Sequence, residues 1–159
     1  MSNKKHTDGY PPYLFLEDGR VDKDHPENNW WQTKRRRYDL TYELVMGILE
    51  FQEYKCPVSG EDLDLSKGEM RNGVGAFKWF VDHDHKYGEA QGSNYPGLAS
   101  VRGFVTRESN ELMKSIDLLH NSPPPGTQLI IDHDSLIGQY LFNPPAQQYI
   151  NSLDTCLIK

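Results

Sequence analysis

The sequence is poor in cysteine, with only Cys56 and Cys156 in 159 residues. A disulfide framework needs more cysteines than this, and an intracellular chain keeps such thiols reduced. Two cysteines this far apart also cannot form a four-ligand zinc site by themselves. We therefore expect two free thiols and no disulfide-stapled fold.

Long apolar runs are absent as well. No stretch approaches the roughly 20 apolar residues that a membrane span needs. The first residues, Met-Ser-Asn-Lys-Lys-His, lack the apolar core of a secretory signal. Hydrophobic residues make up 36% of the chain, enough for one modest core. We expect a soluble cytoplasmic protein with an N-terminal arm over residues 1–32 and a single domain over 33–159.

The chain also lacks an overall positive charge, because its net charge is −6. Contact with phosphates depends on local charge, however, and Lys34-Arg35-Arg36-Arg37 forms one dense basic run. We predict that Lys34, Arg35, Arg36 and Arg37 contact nucleic acid, with a solvated charged face as the alternative. Trp30-Trp31, just before the run, is expected to pack in the core rather than to stack on bases.

The hydrophobic pattern predicts an α+β fold whose central part is two strands followed by a helix. Apolar residues recur at helical spacing in some segments, and aromatic and β-branched residues mark the strands. Thr106 is a suitable N-cap for the helix after the second strand, with Leu112, Ile116 and Leu119 on its inner face. In chain order the pattern predicts a helix over about 33–54, a tight turn over 56–60, strands over 77–81 and 100–105 separated by a glycine-containing loop over 87–97, a helix over 106–120, a break over 122–126, a short apolar piece over 129–131, and a last helix over 145–153.

Two carboxylates and two imidazoles alternate in Asp82-His83-Asp84-His85, directly after the first strand. Carboxylate oxygen suits hard divalent ions, and imidazole is the natural general base near neutral pH. Alternate side chains of an extended chain face opposite sides, but a turn can bring several of them together. The alternatives are a solvated turn and a transition-metal site made by these residues with Cys56.

Further motifs follow the cluster in a fixed order: Val101-Arg102-Gly103 in the second strand and Asn110 on the helix. The chain here resembles the HNH (His-Me finger, ββα-metal) nuclease superfamily, and most closely the phage recombination endonuclease VII family. The resemblance covers about residues 82–113. It implies a small ββα-metal core at about 77–120, with flanking helices.

The resemblance also implies a site and an activity. Asp82 and Asn110 would hold one Mg²⁺ (or Mn²⁺) on the scissile phosphate, and His83 would be the general base that activates water. The activity implied is metal-dependent endonuclease hydrolysis of phosphodiester bonds in DNA, in recombination or in branched or nicked DNA processing. A phage origin and a homodimer are further implications of the family.

Three neighbouring residues receive secondary roles from the resemblance. His85 would be a catalytic residue near the phosphate or leaving group, with a structural hydrogen bond as the alternative. Asp84 would point away and fix the loop. Arg102 would contact the DNA phosphates, although an arginine in a strand is as often simply solvated.

The sequence departs from the family at its two Cys-x-x-Cys zinc knuckles. Alignment on Cys56 and on Asn110 places Ser59, Thr106 and Ser109 where the other three cysteines would stand. Structural zinc needs four nitrogen or sulfur ligands, so we expect structural zinc to be absent.

Two other interpretations remain open from the sequence. The missing cysteines and the acidic balance also suit a non-catalytic factor that binds nucleic acid or protein on an HNH-like fold. Asp132-His133-Asp134 resembles the first cluster but has no following Arg-Gly strand or helical Asn at a suitable distance. We interpret it as a structural turn or helix start, with a second metal site as the alternative.

Overall fold

The computed structural model describes residues 9–68, 77–89 and 96–156. Residues 1–8 of the predicted arm and most of the predicted glycine-containing loop (90–95) lie outside the described residues. Short 3-10 turns occupy Pro12–Leu14 and Leu98–Ser100. The regular elements are α1 (Asn28–Tyr38), α2 (Tyr42–Phe51), β1 (Phe80–His83), α3 (Lys86–Glu89), β2 (Val101–Val105), α4 (Arg107–Asn121), α5 (Leu136–Phe142) and α6 (Pro145–Cys156).

The predicted α+β class is confirmed, with β1 and β2 paired as a two-stranded antiparallel sheet. Strand β1 begins later than the predicted span 77–81 and includes Asp82 and His83 themselves. Asp82 pairs with Gly103, and the register shifts between Asp82 and His83. A Cβ atom on Gly103 would lie 2.8 Å from Oε1 of Gln52. Glycine is therefore needed here, because the Gln52 amide bonds the backbone of Phe104 beside it.

Helix α4 begins where the sequence predicts, because the Thr106 side chain accepts a hydrogen bond from the backbone N–H of Ser109. Its inner face differs from the prediction. Leu112 and Leu119 are exposed, whereas Ile116 is partly buried against the core, as predicted. The fully buried side chains include Asn110, Met113 and Asp117. The helix is thus rotated so that polar groups, rather than its leucines, face the hairpin. This rotation brings functional groups of α4 into the interior.

The predicted single helix over 33–54 is wrong, because two helices occupy this region. Asp39 adopts a left-handed conformation with φ 54°, which ends α1. The Thr41 side chain then accepts from the N–H of Leu44 and starts α2. The following turn is confirmed by a hydrogen bond from the Gly60 N–H to the Cys56 carbonyl.

Aromatic residues of α1 and of the segment just before β1 form a packed cluster. Trp30 and Trp31 are buried, as predicted, and Trp30 meets Phe77 and Trp79 edge-on at 4.7 and 5.4 Å between ring centroids. The predicted boundary between residues 32 and 33 falls inside α1, and Leu14 is fully buried. Residues 9–32 therefore pack with the rest of the core.

The C-terminal helices cover the outer side of the hairpin. Helix α6 spans Pro145–Cys156, slightly longer than predicted, and contacts both β2 and α2. Tyr140 of α5 and Ala146 of α6 are buried in the core. The predicted apolar piece at 129–131 has no regular structure, and Ile130 is exposed. Within the described ranges, none of the helices has the length and apolar character to cross a membrane.

Candidate active site

The end of β1 separates Asp82 from the two histidines. Asp82 points inward and is fully buried, whereas His83 and His85 are partly exposed. The register shift after Asp82 and the turn after His83 bring the two imidazole rings together, with 4.6 Å between centroids. Asp84 accepts a hydrogen bond from the Lys86 N–H at 2.9 Å and so fixes the loop, as predicted.

Arg102 holds the buried carboxylate of Asp82. Its Nε donates to Oδ2 at 2.8 Å and its Nη2 to Oδ1 at 3.3 Å. The hydroxyl of Tyr140 donates to the same Oδ2 at 2.7 Å. Both carboxylate oxygens of Asp82 are therefore in use, and no part of its side chain reaches solvent.

The same guanidinium holds a second carboxylate, that of Asp117 on α4. Nη1 and Nη2 of Arg102 donate to Oδ1 and Oδ2 of Asp117 at 2.9 and 2.8 Å. Burial alone lowers the pKa of Arg102, but its bonds to the two carboxylates outweigh this and raise that pKa above its ordinary value. Arg102 is therefore a buried, charged group bound to two carboxylates, and its contact with DNA phosphates stays a prediction.

Asp117 extends the network to His85, whose Nδ1 lies 2.7 Å from Oδ2 of Asp117. Burial raises the pKa of Asp117, but hydrogen bonds from Arg102 and His85 outweigh it and lower that pKa. The Asp117 carboxylate accepts a hydrogen bond from Nδ1–H and so fixes the orientation of the His85 ring. Sequence reasoning missed Asp117. Its position seven residues after Asn110, two helical turns along the same face, was the available signal.

His83 is held from the opposite side by Tyr38, the last residue of α1. The Tyr38 hydroxyl lies 3.2 Å from Nδ1 of His83. Burial, together with the nearby charges of His85, Arg37 and Arg102, lowers the pKa of His83 to about 4. His83 is consequently neutral at physiological pH, the state that a general base requires.

The predicted metal ligands do not form an open site. Asn110 is buried on the first turn of α4, and no hydrogen bond joins it to Asp82 in the described residues. The Asp82 carboxylate faces the guanidinium of Arg102, which neutralises the charge that would attract a cation. Across the described ranges, no three His, Cys, Asp or Glu side chains form a group that could hold a metal ion. The arrangement of Asp82 thus does not fit the Mg²⁺ or Mn²⁺ site that the resemblance implies.

The predicted basic run lies on α1 and divides into two faces. Lys34 and Arg37 both approach the ring of Tyr38, at 5.6 and 5.4 Å from its centroid. Arg35 instead lies over the ring of Tyr10 at 5.9 Å, and Arg36 is exposed. Lys34 and Arg37 therefore lie against the ring whose hydroxyl contacts His83.

The four positions aligned with the zinc knuckles meet in space. Sγ of Cys56 lies 3.3 Å from Oγ of Ser109 and 4.0 Å from Oγ1 of Thr106, and these two hydroxyls are 3.0 Å apart. Burial raises the pKa of Cys56, but its hydrogen bonds with Ser109 and Ser59 outweigh burial and lower that pKa. Hydrogen bonds among one thiol and three hydroxyls thus connect the turn after α2 with the start of α4. Cys56 contacts this cluster rather than the histidines, so it does not contribute to the alternative transition-metal site.

The second acidic motif forms a turn. Asp132 accepts from the N–H groups of Asp134 and Ser135, and the Ser135 hydroxyl caps α5. The His133 ring stacks on Phe142, with 3.8 Å between centroids and an interplanar angle of 10°. These contacts agree with the interpretation of Asp132-His133-Asp134 as a structural turn and helix start.

The resemblance to HNH nucleases depends on the motifs and on this geometry. His83 and His85 lie side by side, and Cys56, Thr106 and Ser109 contact one another, whereas Asp82 and Arg102 are paired with each other. Comparison of the chain with protein-family models, with curated proteins and with solved structures gave no match.

Proposed function

We propose that the chain is an endonuclease that hydrolyses phosphodiester bonds of DNA, with His83 as the general base. The observation that carries this proposal is the neutral His83 ring, fixed by Tyr38 and next to His85 and to the cationic face of α1. A neutral imidazole beside cationic groups is suited to a reaction in which water attacks an anionic phosphate.

Tyr38 determines which nitrogen of His83 can act. When Nδ1–H donates to the Tyr38 hydroxyl oxygen, Nε2 keeps its lone pair. Nε2 can then take a proton from the attacking water. In the opposite tautomer the Tyr38 hydroxyl donates to Nδ1 and Nε2 carries the hydrogen. The activity therefore requires the first tautomer.

His85 is suited to the opposite proton transfer. Its Nδ1–H donates to the Asp117 carboxylate, which orients the ring so that Nε2 is the other working nitrogen. When Nε2 also carries a hydrogen, it can donate that proton to the oxygen that leaves when the phosphodiester bond breaks. The pair would therefore act as base (His83) and acid (His85).

The Mg²⁺ or Mn²⁺ ion of the resemblance remains a prediction, and no step above passes through it. For Asp82 and Asn110 to hold a metal, Arg102 would first have to release Asp82, at the cost of breaking a buried ion pair. Metal-dependent cleavage would therefore show that this ion pair opens in the active enzyme.

A direct test is a cleavage assay on supercoiled, single-stranded and four-way-junction DNA in Mg²⁺, in Mn²⁺ and in EDTA. We expect cleavage of at least one substrate, and the substrate cut fastest identifies the DNA form. Absence of cleavage on every substrate in both metals would refute the proposal.

The second candidate function is a non-catalytic factor that binds nucleic acid or protein. The closed Asp82–Arg102 pair favours it, because this pair blocks the predicted metal ligand. DNA binding without cleavage in the same assay is the result that this candidate predicts.

The partner, the compartment and the oligomeric state are part of the same proposal. We propose DNA as the partner, in branched or nicked form, with action in the cytoplasm, which is the host cytoplasm for a phage-encoded protein. A homodimer would present two such sites to one DNA molecule, and sedimentation with and without a four-way junction would detect it.

A further inference from the structure

Two cations on one face of α1 lack an anionic partner. Lys34 and Arg37 are three residues apart and both lie within 5.6 Å of the centre of the Tyr38 ring. Neither forms an ion pair within the ranges 9–68, 77–89 and 96–156. Two positive charges near one aromatic ring, with no carboxylate paired to them in the described residues, create a positive potential that favours binding of an anion.

Lys34 is partly removed from water between two aromatic rings. Its Nζ lies 5.4 Å from the Trp30 ring centre and 5.6 Å from that of Tyr38. Burial, together with the charge of Arg37, lowers the pKa of Lys34 to about 8. A cation with poor hydration and a like-charged neighbour gains more from a bound anion than an exposed lysine does.

Arg37 supplies a polar group that lacks a partner. Its Nε is buried, and no hydrogen-bond acceptor reaches it in the described part of the chain. Buried donors of this kind are rare in folded proteins, and an unbound ligand is one of their ordinary explanations. The Arg37 carbonyl accepts from the N–H of Gly97, which fixes the end of α1 near the start of β2.

The cationic pair is directed at the histidine site through Tyr38. The ring of Tyr38 lies 5.1 Å from that of His83, and the Tyr38 hydroxyl lies 3.2 Å from Nδ1 of His83. An anion held by Lys34 and Arg37 would therefore lie beside His83. Arg35 and Arg36 belong to the same run but do not contact Tyr38 in this way.

We propose that Lys34 and Arg37 form a phosphate-binding subsite that holds one phosphodiester group of a nucleic-acid backbone next to His83. The proposal rests on the proposed function, because it assigns the scissile or an adjacent phosphate to these two side chains. It also narrows the predicted four-residue DNA contact to two residues with a defined geometry. Arg35 and Arg36 contribute only to the general positive field of α1.

The test measures binding separately from cleavage, in a His83→Ala background that cannot use its base. Fluorescence anisotropy follows a labelled six-nucleotide single strand, and isothermal titration follows inorganic phosphate. The variants are Lys34→Met, which keeps the apolar stem against the rings, and Arg37→Gln. Arg36→Gln makes the same charge change on the same helix, and Lys55→Gln makes it at an exposed position after α2. Thermal unfolding of every variant identifies any that does not fold.

We expect Lys34→Met and Arg37→Gln each to weaken oligonucleotide binding about ten- to hundredfold, the usual loss of one charge-assisted hydrogen bond. Arg37→Lys should recover part of the loss, and phosphate should compete with the oligonucleotide only when both cations are present. Arg36→Gln and Lys55→Gln should change binding by less than about threefold, as expected for exposed charges.

Equal losses for Arg36→Gln and Arg37→Gln would overturn the subsite, because they would show a diffuse field rather than a defined contact. The subsite would also be overturned if the wild-type chain cleaves DNA but substitution of Lys34 or Arg37 leaves oligonucleotide binding unchanged. Binding that depends on both residues in a chain that never cleaves DNA would instead support the subsite and refute the proposed hydrolysis.

Discussion

Arg102 and Asp82 form a buried ion pair, with Nε–Oδ2 and Nη2–Oδ1 distances of 2.8 and 3.3 Å, at the position where the resemblance to HNH nucleases predicts a metal ligand. The same guanidinium binds Asp117, which binds His85. One arginine therefore connects the end of β1, the middle of α4 and a candidate catalytic histidine. The site is organised by this arginine.

Removal of the Arg102 charge should strongly destabilise the fold. Arg102→Gln leaves Asp82 and Asp117 as buried, uncompensated carboxylates, and such losses cost about 3–5 kcal/mol. Urea unfolding measures the difference. Arg20→Gln, at an exposed arginine paired with Asp18, is the matched control and should change stability by less than about 1 kcal/mol. Equal effects of the two changes would contradict the buried pair.

Asp117 is predicted to be a positioning residue that acts through His85. Asp117→Asn keeps the size of the side chain but weakens the hydrogen bond that orients the His85 ring, so kcat should fall about 10²-fold or more, the usual range for acid–base catalysis. KM should stay nearly constant, because Asp117 does not contact the substrate. Glu111→Gln, on the same helix and exposed, is the control. Equal losses of kcat in both variants would argue against the assignment.

The protonation of His83 should occur far below the usual range for histidine. Its pKa of about 4 lies below the ordinary value of 6.5, so the folded protein keeps the ring neutral where the unfolded chain protonates it. The contribution of His83 to stability is therefore complete above pH 6.5 and is lost as pH falls toward 4. An NMR titration of the His83 ring should show a midpoint near 4. A midpoint at or above 6.5 would contradict the buried, cation-flanked environment.

The knuckle positions should accept zinc when their thiols are installed. Zn–S bonds of about 2.3 Å in a tetrahedral site place sulfur atoms about 3.8 Å apart. The present spacings of 3.3 and 4.0 Å from Cys56 to Ser109 and Thr106 bracket that value. The triple variant Ser59→Cys/Thr106→Cys/Ser109→Cys should therefore bind one zinc ion per chain and melt at a higher temperature.

Metal analysis and melting with and without a chelator measure this outcome. A fourth change, Cys56→Ser, removes one ligand and is the matched control, which should lose tight zinc binding. A triple variant that folds but binds no zinc would show that the four positions do not have the knuckle geometry.

Local rules in the sequence predict the hairpin and the helices around it. The signals for these elements depend only on residues close in the sequence. They are the strand-forming residues before Asp82, the Thr106 cap and Gly103, so they can be recognised without knowledge of the fold. The break between α1 and α2 was missed because Leu40 and Leu44 continue the apolar period across it. The left-handed Asp39 and the capping Thr41 interrupt the helix without interrupting that period.

Long-range partners account for what the sequence could not predict in the site. The motif identifies His83 and His85 as chemically capable groups, but nothing near them indicates Tyr38 or Asp117 as their partners. Arg102 looks like a surface cation in the sequence. Its burial depends on two carboxylates, Asp82 and Asp117, that only folding brings together around it.

The role of His83 as general base is tested most directly by single-turnover cleavage of DNA by the wild-type chain and by His83→Ala, with DNA binding measured in parallel. We expect the wild-type chain to cut DNA, and His83→Ala to bind it with similar affinity but to cleave it about 10²-fold or more slowly. A cleavage rate in His83→Ala equal to that of the wild-type chain would show that His83 is not the general base.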